Sequence, residues 1–222
     1  AQINIDILNS ITPEITKYAP EATYIIVSNP VDVLTYVFCK NSGIPEERVI
    51  GSGTILDTAR LRSRISEYYS VNQKNVHAYV LGEHGDSSFV PWSLANISNV
   101  PVEDYRNSLL NTRRDFPDLN KDEVEEYVRK SGASVIQRKG ATFYAIADSV
   151  VNICGILLAA NESIATISTM MHGEYGVDDV CLSTLALVDR SGVRGKILNP
   201  LTPGEISKLK ISADKLRNVI DN

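Results

Sequence analysis

The opening of the chain alternates between helical and strand-like segments joined by short connections, and this alternation limits the fold more than any other feature. The apolar runs Tyr24–Val27 and Val49–Ile50 are typical of short buried strands. A helix that runs to about Tyr18 precedes the first run, and a helix from Val31 to about Lys40 separates the two. The first helix is predicted from isoleucines at four-residue spacing, which are Ile3, Ile7, Ile11 and Ile15. Helix, strand, helix, strand is the order of a doubly wound α/β sheet.

After Gly53 the pattern changes to helices combined with antiparallel strands. Helices are predicted over about Ile55–Tyr69, Lys121–Arg138 and Thr142–Ala160, and strands over Asn75–Leu81, Ile164–Met170, Asp179–Val188 and Val193–Leu198. The polar segment Pro101–Asp122 is predicted to be irregular. Thr202 and Glu205, with Pro203 between them, predict a capping box that opens a final helix. We therefore expect a doubly wound remainder over residues 1–52 and an α+β domain over residues 53–222.

The composition is that of an ordinary globular protein, with 43% apolar and 22% charged residues among 222. The formal net charge of -5 argues against a nucleic-acid-binding protein, although one or two arginines are enough to hold an anionic substrate. Cys39, Cys154 and Cys181 match no zinc or redox spacing, so we expect free thiols in a reducing compartment and no metal site. The longest apolar stretch, Ile153–Ala160, is far shorter than the roughly 20 residues that span a bilayer, so no membrane partner is expected.

His84 is the histidine whose surroundings most favour chemistry. It lies between Gly82 and Gly85, in a loop that follows a predicted strand. Glycines at these positions let the backbone turn tightly and leave the imidazole accessible. A lone loop histidine is more often an ordinary surface residue, and the sequence around it does not decide between the two interpretations.

Asp57 and Arg60 share one face near the start of a predicted helix. They are interpreted either as a surface ion pair, which contributes only about 0.3–0.5 kcal/mol, or as two functional groups. In the second case the Arg60 guanidinium holds a substrate carboxylate by two parallel hydrogen bonds. Asp57 then accepts a hydrogen bond from a histidine and favours its protonated form.

Asn29 and Pro30 end the first buried strand at its carboxyl end, the edge where open α/β sheets bind ligands. Asn-Pro is also a common turn pair. As a functional residue, Asn29 would donate its side-chain amide to a substrate carbonyl oxygen. The sequence Gly51-Ser52-Gly53 lacks the third glycine of a dinucleotide-binding loop, so these residues alone show no complete cofactor site.

Four motifs in a fixed order carry a family resemblance that none of them carries alone. They are VSNPVD at 27–32, GSGT at 51–54, LDTAR at 56–60 and GEHGDS at 82–87. Together they resemble the L-lactate dehydrogenases and their malate dehydrogenase relatives, and the resemblance extends from Ala1 to the last helix. It implies that residues 1–52 are the remainder of a Rossmann-type NAD-binding domain and that residues 53–222 are the substrate domain.

The resemblance also implies a site and a reaction. His84 would be the proton donor and acceptor in the interconversion of pyruvate and L-lactate, and Asp57 would orient it. Arg60 would bind the substrate carboxylate, Asn29 would bind the reacting oxygen, and Thr142 would line the substrate pocket.

The cofactor implied by the resemblance is NAD. Ser10, Val27 and Ser52 would approach it, Asn29 would lie near the nicotinamide, and Ile146 would pack against the nicotinamide ring.

Two alternatives to an L-lactate dehydrogenase remain. Glu83 and Thr142 are lactate-like, whereas malate dehydrogenases of the family usually have a glycine before the histidine and a small residue at the position of Thr142. The chain has no initiator methionine and Ala1 opens inside a helical pattern, so we expect that the upstream part of the NAD-binding domain is missing. The second alternative is therefore a non-catalytic truncated fragment.

The resemblance further implies a cytoplasmic homotetramer, with an allosteric site as an additional possibility. Arg62 and His77 fall where allosteric bacterial relatives bind fructose 1,6-bisphosphate. Arginine and a protonatable histidine suit a phosphate, but a surface arginine and a strand-end histidine explain the same residues equally well.

Overall fold

The computed structural model describes residues 2–110, 116, 118–140 and 142–220. In chain order the elements are α1 (Gln2–Tyr18), β1 (Tyr24–Ile26), α2 (Val31–Asn41), β2 (Val49–Gly51), α3 (Ile55–Tyr69), β3 (Val76–His77), β4 (Asn96–Ile97) and β5 (Val100–Pro101). They continue with α4 (Val102–Ser108), α5 (Lys121–Lys139), α6 (Tyr144–Leu158), β6 (Ser163–His172), β7 (Asp178–Asp189), β8 (Gly192–Lys196) and α7 (Pro203–Ile220). None of the helices described is long and apolar enough to cross a membrane.

The main sheet has five strands in the order β1-β2-β6-β7-β8. β1 and β2 are parallel, with Tyr24 opposite Val49, as the alternating helices and strands predict. β6, β7 and β8 are antiparallel, and β6 joins β2 where Ser168 lies opposite Gly51. The predicted combination of a doubly wound parallel part with antiparallel strands is therefore confirmed. The domain boundary after residue 52 stays a prediction.

The structure differs from the sequence analysis in two details. The first lies in a smaller antiparallel sheet, in the order β3-β4-β5. The predicted strand Asn75–Leu81 is regular only at Val76–His77, and Leu81 forms an isolated bridge with Phe89 instead. The prediction of an irregular segment over Pro101–Asp122 is wrong at its start, where α4 forms. Glu103 and Asp104 in the first turn of α4 favour a helix because they face the positive end of its dipole. Residues 111–115 and 117 of that segment lie outside the described residues.

The predicted capping box at the start of α7 is confirmed. The Glu205 carboxylate accepts from the Thr202 backbone N–H at 2.8 Å, and the Glu205 N–H donates to Thr202 Oγ1 at 3.3 Å. Leu209, Ala213 and Leu216 bury one face of α7 in a cluster that also contains Leu81. This packing places α7 against the loop that carries His84.

Candidate active site

A cavity of about 450 Å³ lies where the carboxyl ends of β1 and β2 meet the loop after Leu81. Its lining includes Val27, Asn29, Ser52, Leu56, Asp57, Arg60, His84, Gly85, Asp86, Ser88, Arg129, Gly132, Ala133, Ile136, Thr142 and Ile146. The carboxyl ends of parallel strands are where α/β sheets bind ligands, so the cavity is at the expected edge. Residues from four predicted motifs meet there although they are far apart in the chain.

The most specific feature of the cavity is a short hydrogen bond between His84 and Asp57. Asp57 lies in the first turn of α3 and is buried. Its Oδ2 lies 2.6 Å from His84 Nδ1. Because an ionised carboxylate only accepts, this contact assigns a proton to Nδ1. The other ring nitrogen, Nε2, is then the atom available for proton exchange.

Arg60 contacts the second oxygen of the same carboxylate. Its Nη1 lies 3.2 Å from Asp57 Oδ1, in the predicted i,i+3 arrangement. The two side chains are 16% and 8% exposed, so this is not the weak surface pair of the first interpretation. Asp57 is therefore shared between a guanidinium and an imidazole, and Arg60 and His84 lie on the wall of one cavity.

The surroundings of His84 favour its protonated form. Burial is the largest single influence and would lower its pKa. The hydrogen bond and charge of Asp57, aided by the charge of Asp32, outweigh burial and raise the pKa above the ordinary value of 6.5. The imidazole therefore retains its proton to a higher pH than a solvent-exposed histidine does.

The loop at residues 82–87, which we call the His84 loop, is fixed by α7. The Glu83 backbone N–H donates to Ser212 Oγ at 2.6 Å. Gly82 has a φ of +91°, and a Cβ at this position would come within 2.7 Å of the same hydroxyl. The glycine before Glu83 is thus required both by its backbone conformation and by its contact with α7.

The predicted substrate residues Asn29 and Thr142 both line the cavity. Asn29 follows β1, and its backbone carbonyl accepts a hydrogen bond from Asn4 Nδ2 at 2.6 Å. This bond fixes the backbone from which the Asn29 side chain extends.

The predicted cofactor residues divide into two groups. Val27, Ser52 and Ile146 line the cavity together with Asn29. Ser10 is not among the lining residues, and its hydroxyl donates to Ile7 O at 2.7 Å within α1. The structure therefore does not bring Ser10 to this cavity.

The cavity lining contains both apolar and polar side chains of the kinds that would contact a nicotinamide ring. Val27 and Ile146 offer apolar surface to a flat ring, and Asn29 and Ser52 offer polar groups to a carboxamide. His84, Asp57 and Arg60 line the same cavity, so a ring bound there would lie near an imidazole, a carboxylate and a guanidinium.

α5 supplies a wall of the cavity that the sequence analysis did not identify. The lining residues on α5 are Arg129, Gly132, Ala133 and Ile136, at helical spacing. Arg129 Nη1 donates to Glu125 Oε2 at 3.1 Å and to Ser88 O at 3.3 Å. The spacing is visible in the sequence, but the contact with the cavity depends on how α5 packs against α3.

Arg62 and His77 lie outside the cavity lining. Arg62 Nε donates to Ala78 O at 2.9 Å, and its guanidinium lies 5.0 Å from the centre of the Tyr79 ring. His77 is exposed on β3, opposite Asn96. Arg62 thus contacts the residue that follows His77 in the chain. Within the part of the chain that is described, no cluster of three or more histidine, cysteine and acidic residues could hold a metal ion.

Two family models match nearly the whole chain. The model described as the lactate/malate dehydrogenase NAD binding domain matches residues 1–51. The model described as the lactate/malate dehydrogenase alpha/beta C-terminal domain matches residues 54–222.

Individual relatives and solved structures agree with these matches. An L-lactate dehydrogenase of Clostridium botulinum (strain 657 / Type Ba4) is 44% identical over 219 residues, which are 99% of this chain and 68% of the relative. One of Clostridium perfringens is 43% identical over 220 residues, covering 99% of this chain and 68% of the relative. The solved L-lactate dehydrogenase from Clostridium thermocellum has a TM-score of 0.90 and 38% identity, covering 100% of this chain and 72% of its own. The chain therefore belongs to the lactate/malate dehydrogenase family of NAD-dependent oxidoreductases.

Proposed function

We propose that the protein interconverts pyruvate and L-lactate, with His84 as the proton donor and acceptor. The observation that supports this most strongly is the 2.6 Å contact between His84 Nδ1 and the buried Asp57, in the cavity that Arg60 also lines. A proton donor and a guanidinium that face one cavity suit a substrate that carries a carbonyl group beside a carboxylate.

In this proposal Arg60 binds the substrate carboxylate and fixes the orientation of the carbonyl. A planar guanidinium can do this by two parallel hydrogen bonds. The contact with Asp57 holds Arg60 at the cavity wall. Binding and proton transfer therefore both depend on Asp57.

Reduction creates negative charge on the carbonyl oxygen, and two groups stabilise it. Bound NADH would supply the hydride. His84 Nε2 gives its proton to the oxygen, and Asp57 stabilises the imidazolium before the transfer. The side-chain amide of Asn29 donates a hydrogen bond to the same oxygen. Val27, Ser52 and Ile146 would hold the nicotinamide end of the cofactor, and Thr142 would lie beside the substrate.

Pyruvate is expected to be a better substrate than oxaloacetate. Oxaloacetate has a second carboxylate, and Arg129, the other arginine in the described lining, is already paired with Glu125. A second carboxylate without a cation is costly to bury, so we expect kcat/KM for pyruvate to be higher by at least about tenfold. Steady-state rates with NADH and each keto acid measure this ratio.

The result separates the proposal from its alternatives. A preference for oxaloacetate would indicate a malate dehydrogenase. A Thr142→Gly variant, which mimics the small residue of malate dehydrogenases, is a second test. It is expected to lower the preference for pyruvate. If the 222-residue chain shows no NADH binding in a fluorescence titration, the non-catalytic alternative applies to it.

We also propose a cytoplasmic homotetramer. Exposed apolar side chains on α6 support self-association, because Tyr144, Val151 and Leu158 are 84%, 67% and 86% exposed and lie seven residues apart on one face. The mass of the assembly in solution tests this.

Fructose 1,6-bisphosphate is proposed as an activator that binds near Arg62 and His77. The support is that the half-buried Arg62 contacts the carbonyl of Ala78, next to the exposed His77. Adding the sugar bisphosphate at low pyruvate is expected to raise the rate in the natural protein and not in an Arg62→Gln variant. An unchanged rate in the natural protein would rule out the effector.

A further inference from the structure

The wall that α5 gives to the cavity carries a cation whose charge is already compensated. Arg129 lines the cavity, and its Nη1 lies 3.1 Å from Oε2 of Glu125, one helical turn earlier on α5. The same Nη1 donates at 3.3 Å to the carbonyl oxygen of Ser88, the residue directly after the His84 loop. The guanidinium is thus held at the cavity wall by two acceptors, one of which is a carboxylate.

Glu125 is fixed by a second segment of the chain. Its Oε1 accepts a hydrogen bond from the indole Nε1 of Trp92 at 2.7 Å, so both carboxylate oxygens have a partner. Trp92 lies in a short helical turn between β3 and β4 and packs against the apolar cluster that contains Val124 and Val128 of α5. Turning Glu125 toward solvent would leave the indole N–H unpaired, so the carboxylate stays on Arg129.

The ion pair of Glu125 and Arg129 is better protected from water than a neighbouring pair on the same helix. The side chain of Glu125 is 11% exposed and that of Arg129 is 33% exposed. In the neighbouring pair, Lys130 and Glu126 are 73% and 56% exposed. Water and salt screen protected charges less than exposed ones, so Glu125 offsets much of the positive charge that Arg129 would otherwise present to the cavity.

The two guanidiniums of the described lining therefore differ in the net charge around them. Asp57 is shared by Arg60 and His84, so one carboxylate faces two cations when the imidazole is protonated. That group keeps a net positive charge, which can bind one substrate carboxylate. Glu125 and Arg129 form a neutral pair. A second substrate carboxylate beside this pair gains no net attraction and approaches the negative charge of Glu125.

We propose that Glu125 is a positioning residue that sets substrate specificity, because it cancels the charge of Arg129 and so restricts the cavity to 2-oxo acids with a single carboxylate. Glu125 is not itself among the lining residues and acts through Arg129. This inference rests on the proposed function and names the class of substrate that the cavity admits.

Glu125→Gln tests the charge alone. The amide oxygen can still accept the Trp92 N–H, but the amide NH2 cannot accept from Arg129, so the guanidinium becomes free to bind an anion. We expect kcat/KM for oxaloacetate to rise about tenfold, the effect of one charge-assisted hydrogen bond, with little change for pyruvate. The affinity for malonate, a dicarboxylate that carries no carbonyl group to reduce, is expected to rise by the same factor in calorimetric titrations.

Two further variants assign the effect to Arg129. Adding Arg129→Gln to Glu125→Gln should return the oxaloacetate rate and the malonate affinity to their wild-type values. Glu126→Gln is the matched control, because it removes the same charge one residue along α5 from the exposed pair with Lys130, and it should change neither value. If Glu125→Gln does not fold, Arg129→Gln decides instead. Its preference for pyruvate should rise, because Glu125 then stands at the cavity wall without its cation.

Unchanged oxaloacetate rate and malonate affinity in folded Glu125→Gln would overturn the inference. A gain that persists in the double variant, or an unchanged preference in Arg129→Gln, would overturn it as well. A wild type that prefers oxaloacetate, or that reduces neither keto acid, would defeat the proposed function instead. The malonate titrations do not depend on turnover, so they still decide the role of Glu125 in that case.

Discussion

Replacing His84 with alanine is expected to lower the turnover of pyruvate by about 10² to 10⁴, the usual contribution of a general acid. The carbonyl oxygen of pyruvate would then gain negative charge without receiving a proton from Nε2. The Asn29 amide alone would stabilise that charge. NADH binding should persist, because the apolar residues Val27 and Ile146 are unchanged. Stopped-flow or steady-state rates, with a fluorescence titration of NADH, measure the two effects separately.

His172→Ala is the control for this prediction. His172 is also bonded to a carboxylate, since its Nε2 lies 2.7 Å from Glu46 Oε2, but the pair is exposed and distant from the cavity lining. Loss of a surface histidine with a carboxylate partner should leave turnover unchanged. Equal turnover in wild type and His84→Ala would remove His84 from the role of proton donor.

Replacing Arg60 with lysine is expected to lower kcat/KM for pyruvate by about 10- to 100-fold, mainly through KM. A charge-assisted hydrogen bond contributes about 1.5–3 kcal/mol, and each 1.4 kcal/mol corresponds to a factor of ten. Lysine keeps a positive charge beside Asp57 but loses the planar pair of donors that grips a carboxylate. The loss should therefore appear in substrate binding while the fold is retained.

Arg64→Lys provides a matched change on the same helix. Arg64 pairs with Glu67 at 3.7 Å, and the two side chains are 42% and 62% exposed, so we expect no measurable effect on KM. A KM for pyruvate that stays the same in Arg60→Lys would show that the carboxylate binds elsewhere.

The sequence was sufficient to predict features that depend on residues close together in the chain. A helix was predicted at about Ile55–Tyr69, where α3 lies, and the pattern of Thr202 and Glu205 predicted the start of α7. The family resemblance carried by four motifs implied which residues meet in the cavity, and all but Ser10 of the predicted catalytic, substrate and cofactor residues line it.

Features that depend on contacts between distant segments could not be predicted in this way. Ser212 supports the His84 loop from a position 129 residues beyond Glu83, and its hydroxyl resembles any other serine in sequence. The hydrogen bond from the His84 backbone N–H to Asp32 likewise joins residues that are 52 positions apart. The wall formed by α5 follows from burial of Val124 and Val128 in the cluster that contains Leu61, which no local pattern encodes.

The pH dependence of kcat/KM for pyruvate reduction, in wild type and His84→Ala, is the measurement that tests the proton-transfer pair most directly. In wild type we predict a constant value at low pH and a tenfold decline per pH unit above a pKa higher than 6.5, because only protonated His84 can donate. In His84→Ala this decline should be absent and the residual rate low. The same decline in both proteins would contradict the assignment of the proton to an imidazole held by Asp57.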